Sequence, residues 1–528
     1  MTAATTPLPY QPSAPSAPLA TPTAAPTGNP TYANATTSCA TGHQQAHQTV
    51  ESLSGSLGIG SIVFMVIAAA APLTVLGGGT PVGILLGNGA AFPATFLIAG
   101  TALALFSVGL SAMTRFVPHS GAFFAYVSRG LNPAWGLGTA MLALMTYTAI
   151  QLSVYCLIGL QLETGISTLT GVDVPWWLYS FLVLTSVAFL GYRHIEMSSK
   201  VLGLLLIAEI AVAVILAAVI LLRGGAHGID LAASFSPHAL TSGSIGVALM
   251  FSVAGFIGFE STAVYRSEAK DPDRTIPIAT YIAVAFVTVL YTISSFAMVT
   301  AWGSDSVQSV AADTLAAGNM LQLTGELYLG AWYAALISVL LITSLFACVL
   351  SFHNVLSRYM FSLSHAGALP AALGGIHTKH QSPSRASLAQ TATAASILAI
   401  ITLCGVDPYA QGFTWLSGMS TVGFVSLMAL TCLSVVVFFI REHYDVSLWS
   451  SAIAPGVAMV ALGCFLYAIL TNFPTLVGDT NAAGKTAAGP LTFTLLGLLA
   501  ISFIAGMIQA LVMKRRDADA YCALSDAA

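Results

Sequence analysis

From residue 57 onward the chain is built of apolar runs about 20 residues long, and nothing constrains its fold more. A helix rises 1.5 Å per residue, so about 20 apolar residues cross a hydrocarbon core about 30 Å thick. Lipid offers no partner to a backbone N–H or C=O, so a spanning segment must satisfy its own hydrogen bonds. Apolar runs of that length do this as helices. Charged residues make up only 7% of the chain and hydrophobic ones 56%, against about 25% charged in a soluble domain. The expected class is therefore an all-α polytopic membrane protein. Twelve runs qualify: 57–78, 90–112, 133–162, 176–192, 197–223, 243–265, 277–301, 330–361, 387–404, 411–440, 452–471 and 490–513. The longest can tilt or extend beyond the bilayer.

Lysine and arginine orient the runs, because basic residues stay on the cytoplasmic side. With a cytoplasmic N-terminus, fourteen of the sixteen basic residues fall inside, and only Arg223 and Lys485 fall outside. A different number of spans would scramble that partition. The reading is thus a multi-pass protein of the cell membrane with both termini cytoplasmic. A net charge of −4 argues against a nucleic-acid partner. Residues 1–50 are rich in Pro, Ala, Thr and Ser and carry no Lys, Arg, Asp or Glu. Such a segment buries too little apolar surface to offset its ordering entropy and is expected to be a disordered cytoplasmic tail. It lacks the basic and apolar regions of a signal peptide. Asn34-Ala35-Thr36 matches a glycosylation sequon but falls on the cytoplasmic side of this topology. The seven cysteines form no C-x-x-C pair, so no disulfide framework, metal site or cofactor is expected.

Two runs carry helix-breaking residues. The sixth reads G-V-A-L-M-F-S-V-A-G-F-I-G-F-E from Gly246 to Glu260. Gly255 and Gly258 are each about 1 kcal/mol worse than Ala inside a helix. A charge such as Glu260 at membrane depth costs at least about 2.5–3.5 kcal/mol, which marks it as a functional candidate. The first run reaches Ala68-Ala69-Ala70-Ala71-Pro72-Leu73-Thr74. Pro72 lacks an N–H and its ring costs about 3 kcal/mol in a helix interior. Interruptions in the first helix of each of two five-helix halves are the sign of an inverted repeat. Repeat one would cover about 57–223, repeat two about 243–440, and helices over about 452–513 would be additions. Together they make a transporter domain over 51–515, followed by a cytoplasmic tail at 516–528.

Several segments resemble the amino acid–polyamine–organocation (APC) superfamily, in its bacterial-type amino acid permeases. They are Leu57–Thr74, Ser120-Gly121-Ala122-Phe123-Phe124-Ala125-Tyr126-Val127, and Phe256-Ile257-Gly258-Phe259-Glu260 with Glu268-Ala269-Lys270-Asp271-Pro272 and Ile276-Pro277 after it. A fourth is Asn354-x-x-Ser357-Arg358, then Ala366-Gly367-Ala368-Leu369-Pro370. The likeness covers about residues 51–515. Ala and Pro stand where some members break the first helix at a Gly-rich triplet. The resemblance implies a LeuT-like 5+5 inverted repeat of twelve transmembrane helices with helices 1 and 6 broken. It implies a substrate carboxylate on free backbone N–H groups at Ala69, Ala70, Ala71, Pro72, Leu73 and Thr74. A half-helix N-terminus does offer unpaired donors and about half a positive charge. It implies a substrate amine at Phe256, Ile257, Gly258, Phe259 and Glu260, with Phe256 or Phe259 closing over it.

Glu260 either relays protons or braces the loosened backbone of the first helix. Glu209 is alone in the middle of the fifth run, and its place, nine residues after Lys200, resembles the position where some proton-coupled relatives carry a lysine in lieu of a sodium ion. It can couple proton entry to substrate entry, ligate a cation, or make a protonated helix contact. Tyr147, Gln151 and Tyr155 recur every four residues and share one helix face. That face either lines the substrate path or hydrogen-bonds a neighbouring helix. His353, Asn354 and Arg358 read as helix and interface anchors, and His377 with His380 as a loop pair that is not a metal site.

The expected function is secondary-active transport of amino acids or related amines, driven by protons, with sodium coupling left open. An exchanger and a polyamine permease are the nearer alternatives. A transporter-like sensor and a membrane-embedded enzyme are distant ones. The chain has no G-x-x-x-x-G-K-[ST], H-E-x-x-H or G-x-S-x-G pattern, so ATP-driven and common hydrolytic chemistry are not expected. Neutral amino acids rank ahead of basic ones and polyamines, which would need intramembrane carboxylates beyond Glu209 and Glu260. Oligomeric state is not legible.

Overall fold

Helices form wherever the apolar runs lie, and their ends fall at proline, glycine and polar caps. The structure, a computed structural model, describes residues 57–117, 123–193, 199–260, 262, 269–377, 383–517 and 521. All belong to one compact unit, Glu51–Ala528. The expected N-terminal tail, Ser120-Gly121-Ala122, Arg266, Glu268, Lys379, His380 and most of the C-terminal tail lie outside the described residues.

The first helix, α1, covers Ile59–Ala70 and stops at Ala71, whose backbone is left-handed (φ 46°, ψ 72°). Helical turns resume at Pro72, whose fixed φ suits a first helical position. They run on as α2 over 72–88, with widened π-type turns at Val75–Gly79 and Gly83–Asn88. Gly87 leaves helical geometry, and a 3-10 turn at Gly89–Ala91 leads directly into α3, Phe92–Thr114. The short α4 (Phe123–Gly130) precedes α5 (Pro133–Thr170), 38 residues long. Asn132 caps α5 by accepting the Ala134 and Trp135 N–H groups at 3.0 and 3.2 Å. Then come α6 (Trp176–Arg193) and α7 (Ser199–Arg223), followed by the short α8 (Leu231–Phe235) and α9 (Pro237–Leu240). The second half begins with α10 (Ile245–Ala254) and α11 (Pro272–Trp302). Two more short helices, α12 (Val307–Asp313) and α13 (Met320–Leu329), lead to α14 (Ala331–His365). The chain closes with α15 (Ser384–Leu403), α16 (Pro408–Glu442), α17 (Trp449–Val477) and α18 (Pro490–Arg516).

Among the described residues nine helical stretches are long and apolar enough to cross a membrane, and Trp176–Tyr192 and Ile245–Ala254 are shorter apolar helices. The described residues hold no strand, only two isolated bridges. The chain is therefore an all-helical, multi-pass membrane protein. The difference from twelve separate runs has local causes. The first two runs join with almost no loop into one 56-residue stretch, Ile59–Thr114. The sixth run stays α-helical only to Ala254, because Gly255 and Gly258 follow. The five short helices between spans, α4, α8, α9, α12 and α13, are too brief for hydropathy to reveal.

Polar pairs tie the helices together where lipid cannot. Tyr333 donates to the Val212 carbonyl at 2.7 Å, and Tyr409 to the Gly78 carbonyl at 2.7 Å. Bonds of this kind contribute about 0.6–2 kcal/mol each in a bilayer. The α5–α16 seam depends on close approach. Ser420 donates to the Thr146 carbonyl at 3.0 Å, and a Cβ on Gly423 would sit 2.0 Å from the Thr146 hydroxyl. Gly423→Val is therefore expected to destabilise by about 1–3 kcal/mol, the range of overpacked cores. A lowered thermal midpoint in detergent would register this, and an unchanged midpoint would mean the seam is looser than described.

Candidate functional site

The interruption after α1 and the one after α10 lie against each other. Beyond Ala254 the chain continues in turns, with Phe256 N–H on the Val253 carbonyl at 3.0 Å and Ile257 N–H on Ala254 at 3.1 Å. Gly258 then takes φ +110°, a conformation that strains any residue with a side chain. A Cβ there would also lie 3.2 Å from the Ala69 Cβ. The Tyr291 hydroxyl on α11 donates to the Ala70 carbonyl at 3.2 Å, satisfying one of the acceptors freed by the end of α1.

Glu260 is buried and has both oxygens engaged. Tyr147 on α5 donates to Oε1 at 2.6 Å, and the Gly258 N–H donates to Oε2 at 2.8 Å. The carboxyl thus braces its own unwound segment and ties it to α5. The backbone of the first helix, one of the two roles the sequence offers for Glu260, is not among these partners. The reason is the reversal at Gly258, which turns residue 258's amide back onto the side chain two positions later.

Glu209 on α7 is 5% exposed. The Ser344 hydroxyl and the Leu73 backbone amide are the polar groups facing its carboxyl, and Oε2 has no hydrogen-bond partner. Thr74 donates to the same Ser344 hydroxyl at 3.4 Å. Tyr291 and Cys348 flank the carboxyl from α11 and α14. Glu209 therefore lies beside the restart of the first helix, one residue past the proline.

Between the two interruptions lies a cavity lined by residues of both. Ala69, Ala70, Thr74 and Ile257 line it, whereas Ala71, Pro72, Leu73, Phe256, Gly258, Phe259 and Glu260 are not part of its lining. Phe256 packs edge-on against Tyr291, and Phe259 against Phe106 and Phe424. The cavity's aromatic rings are instead Phe251, Phe352 and Phe413. The polar stripe of α5 also faces elsewhere. Gln151 donates to the Val349 carbonyl at 3.4 Å and accepts from Gln390 at 2.6 Å, so it joins α5 to α14 and α15. Tyr147 sits behind Phe352, with ring centroids 6.1 Å apart. On α5 the cavity is lined by Ile150 and Val154, which flank Gln151 in sequence. Sequence reasoning missed these two, and also Cys348 and Ser417, because apolar or small residues in an apolar run carry no signal.

Other singled-out residues are structural. His353 shares a hydrogen bond with the Ser387 hydroxyl at 2.9 Å across α14 and α15. Lys270 donates its backbone N–H to the Leu57 carbonyl at 2.9 Å, joining the turn after the second interruption to the start of α1. His377 packs edge-on against Tyr192. Among the described residues no three His, Cys, Asp or Glu side chains group as a metal site would require.

Residues 57–509, almost all of the spanning region with both interruptions, match the family model described as Amino acid permease. The chain belongs to the amino acid permease family. That is a family of transport proteins, not enzymes. Among curated relatives, "Cationic amino acid transporter 4, vacuolar" of Arabidopsis thaliana is 24% identical over 400 residues, 71% of this chain and 63% of the relative. The chain thus spans under two thirds of that protein's length. "Branched-chain amino acid permease BcaP" of Bacillus subtilis is 24% identical over 335 residues, 59% of this chain and 70% of that one. "Probable GABA permease" of Pseudomonas aeruginosa is 25% identical over 433 residues, 78% of this chain and 81% of that one.

Proposed function

We propose that this protein is a secondary-active transporter of an amino acid or related amine, working by alternating access around the cavity between the two interruptions. One observation carries the reading: two interrupted helices abut at Gly258 and Ala69 and leave loosened backbone beside a cavity lined from both interruptions. Interrupted helices of this kind let backbone groups receive a charged solute where lipid and packed side chains cannot. The spacing of the interruptions supports a 5+5 inverted repeat of twelve crossings, and the partition of Lys and Arg supports a cell-membrane protein with both termini cytoplasmic. The family and the names of its relatives support amino acids or amines as cargo.

The substrate's carboxylate would lie toward Ala69–Thr74 and its amine toward the carbonyls of the second interruption. Glu209 is the coupling group in this reading, since it is the buried carboxyl with an oxygen still unpartnered, next to the restart of the first helix. Glu260 is the brace. A carboxyl in the Glu209 position supports proton symport, while sodium coupling and exchange make different demands that one assay separates. Purified protein in liposomes, given labelled amino acids and an acid-outside gradient, is expected to show saturable uptake that collapses with a protonophore. Uptake only into substrate-preloaded vesicles would make it an exchanger, and sodium dependence would move the coupling to a cation. No flux of any substrate from folded protein would overturn the transport reading.

A further inference from the structure

We propose that the cavity selects a zwitterionic amino acid with an uncharged, apolar side chain of branched or aromatic type, and rejects basic amino acids and polyamines. This rests on the reading of the cavity as the substrate site. The reason lies in its lining. Ile150 and Val154 from α5 and Phe251, Phe352 and Phe413 from three other helices supply apolar walls. Among the described residues, the polar side chains on it are Thr74, Cys348 and Ser417, none of them charged. Among the described residues, the two buried carboxylates nearby both stand off the lining. Glu260 is held by Tyr147 and the Gly258 amide at 2.6 and 2.8 Å. Glu209 lies behind Thr74 and Ser344, facing the Leu73 amide.

A zwitterion's carboxylate would lie toward the restart of the first helix, where the Leu73 amide also faces Glu209, and its amine toward the carbonyls of the second interruption. A second cation at the far end of a substrate has no such partner. A charge taken from water into an apolar enclosure without a partner is strongly disfavoured, and this is how a site rejects a competitor of similar size. An apolar side chain of that reach gains instead from contact with the five apolar walls. The names of the relatives do not decide the matter, because they cover cationic, branched-chain and GABA cargo alike. The lining of this chain's own cavity does.

The test is equilibrium binding of labelled leucine, phenylalanine, arginine and putrescine to the purified full-length protein in detergent, paired with flux in liposomes. Leucine or phenylalanine should bind saturably, with arginine and putrescine failing to compete. Arginine or putrescine binding as tightly as leucine overturns the proposal, as does the absence of leucine and phenylalanine binding. Binding of leucine without flux would leave the selectivity standing and sink the transport reading. Flux of arginine would do the reverse. A gain-of-function variant adds a second arm. Ser417 donates to the Ser153 hydroxyl at 3.1 Å on the α5 side of the cavity. Ser417→Asp should raise the arginine-to-leucine binding ratio by at least about tenfold, the scale of one new close charge pair. An unchanged ratio in folded variant would mean that Ser417 does not face the substrate and would overturn the assignment. If the variant does not fold, the binding panel on the unmodified protein decides alone.

Discussion

Glu209→Gln should abolish proton-driven accumulation while leaving substrate exchange across the membrane intact. Glutamine keeps the size of the side chain and one carbonyl oxygen, so the Leu73 amide and the Ser344 hydroxyl retain an acceptor. What it loses is the proton. A one-unit pH gradient stores about 1.4 kcal/mol, enough for about a tenfold concentration ratio of a co-transported solute. The unmodified protein should approach that ratio with an acid exterior. The variant should settle near equal concentrations while still trading labelled for unlabelled substrate in counterflow. A variant that still concentrates substrate would remove Glu209 from the coupling step. A variant that loses both activities but stays folded would make Glu209 part of substrate binding instead.

Glu260→Ala should cost about 2–6 kcal/mol of stability, because it strands two buried donors. The Gly258 N–H and the Tyr147 hydroxyl both lose their acceptor, at about 1–3 kcal/mol each. Tyr147→Phe alone removes one of these bonds and keeps the ring that stacks beside Phe352. Combining the two substitutions should therefore cost less than the sum of the singles, since Glu260→Ala leaves Tyr147 nothing to donate to. Unfolding followed in mixed micelles for the four proteins of this cycle measures the coupling directly. If Glu260→Ala falls within the ±0.5 kcal/mol or so typical of an exposed site, the bracing role is wrong.

Much of the fold is legible before any coordinates. Runs of apolar residues cannot be anything but helices in lipid, and Pro72, Gly255 and Gly258 announce where those helices cannot continue. The structure puts interruptions at those places, at Ala71 and from Gly255 to Glu260. The site is far less legible. Gln151 and Tyr147 stand out in an apolar helix because they are polar, yet their polarity is spent on Gln390, Val349 and Glu260. Ile150 and Val154 face the cavity and carry no mark in the sequence.

Sequence by itself determined that this chain crosses a membrane as helices, and that two of them break. Those follow from local and additive quantities: hydrophobicity summed over about 20 residues, and the backbone limits of proline and glycine. Only the tertiary structure decided which residues border the cavity, that Glu260 folds back on Gly258, and that Glu209 keeps one oxygen unpartnered. Those depend on how one helix rotates against its neighbours, and a run apolar on every side does not record which of its faces meets them.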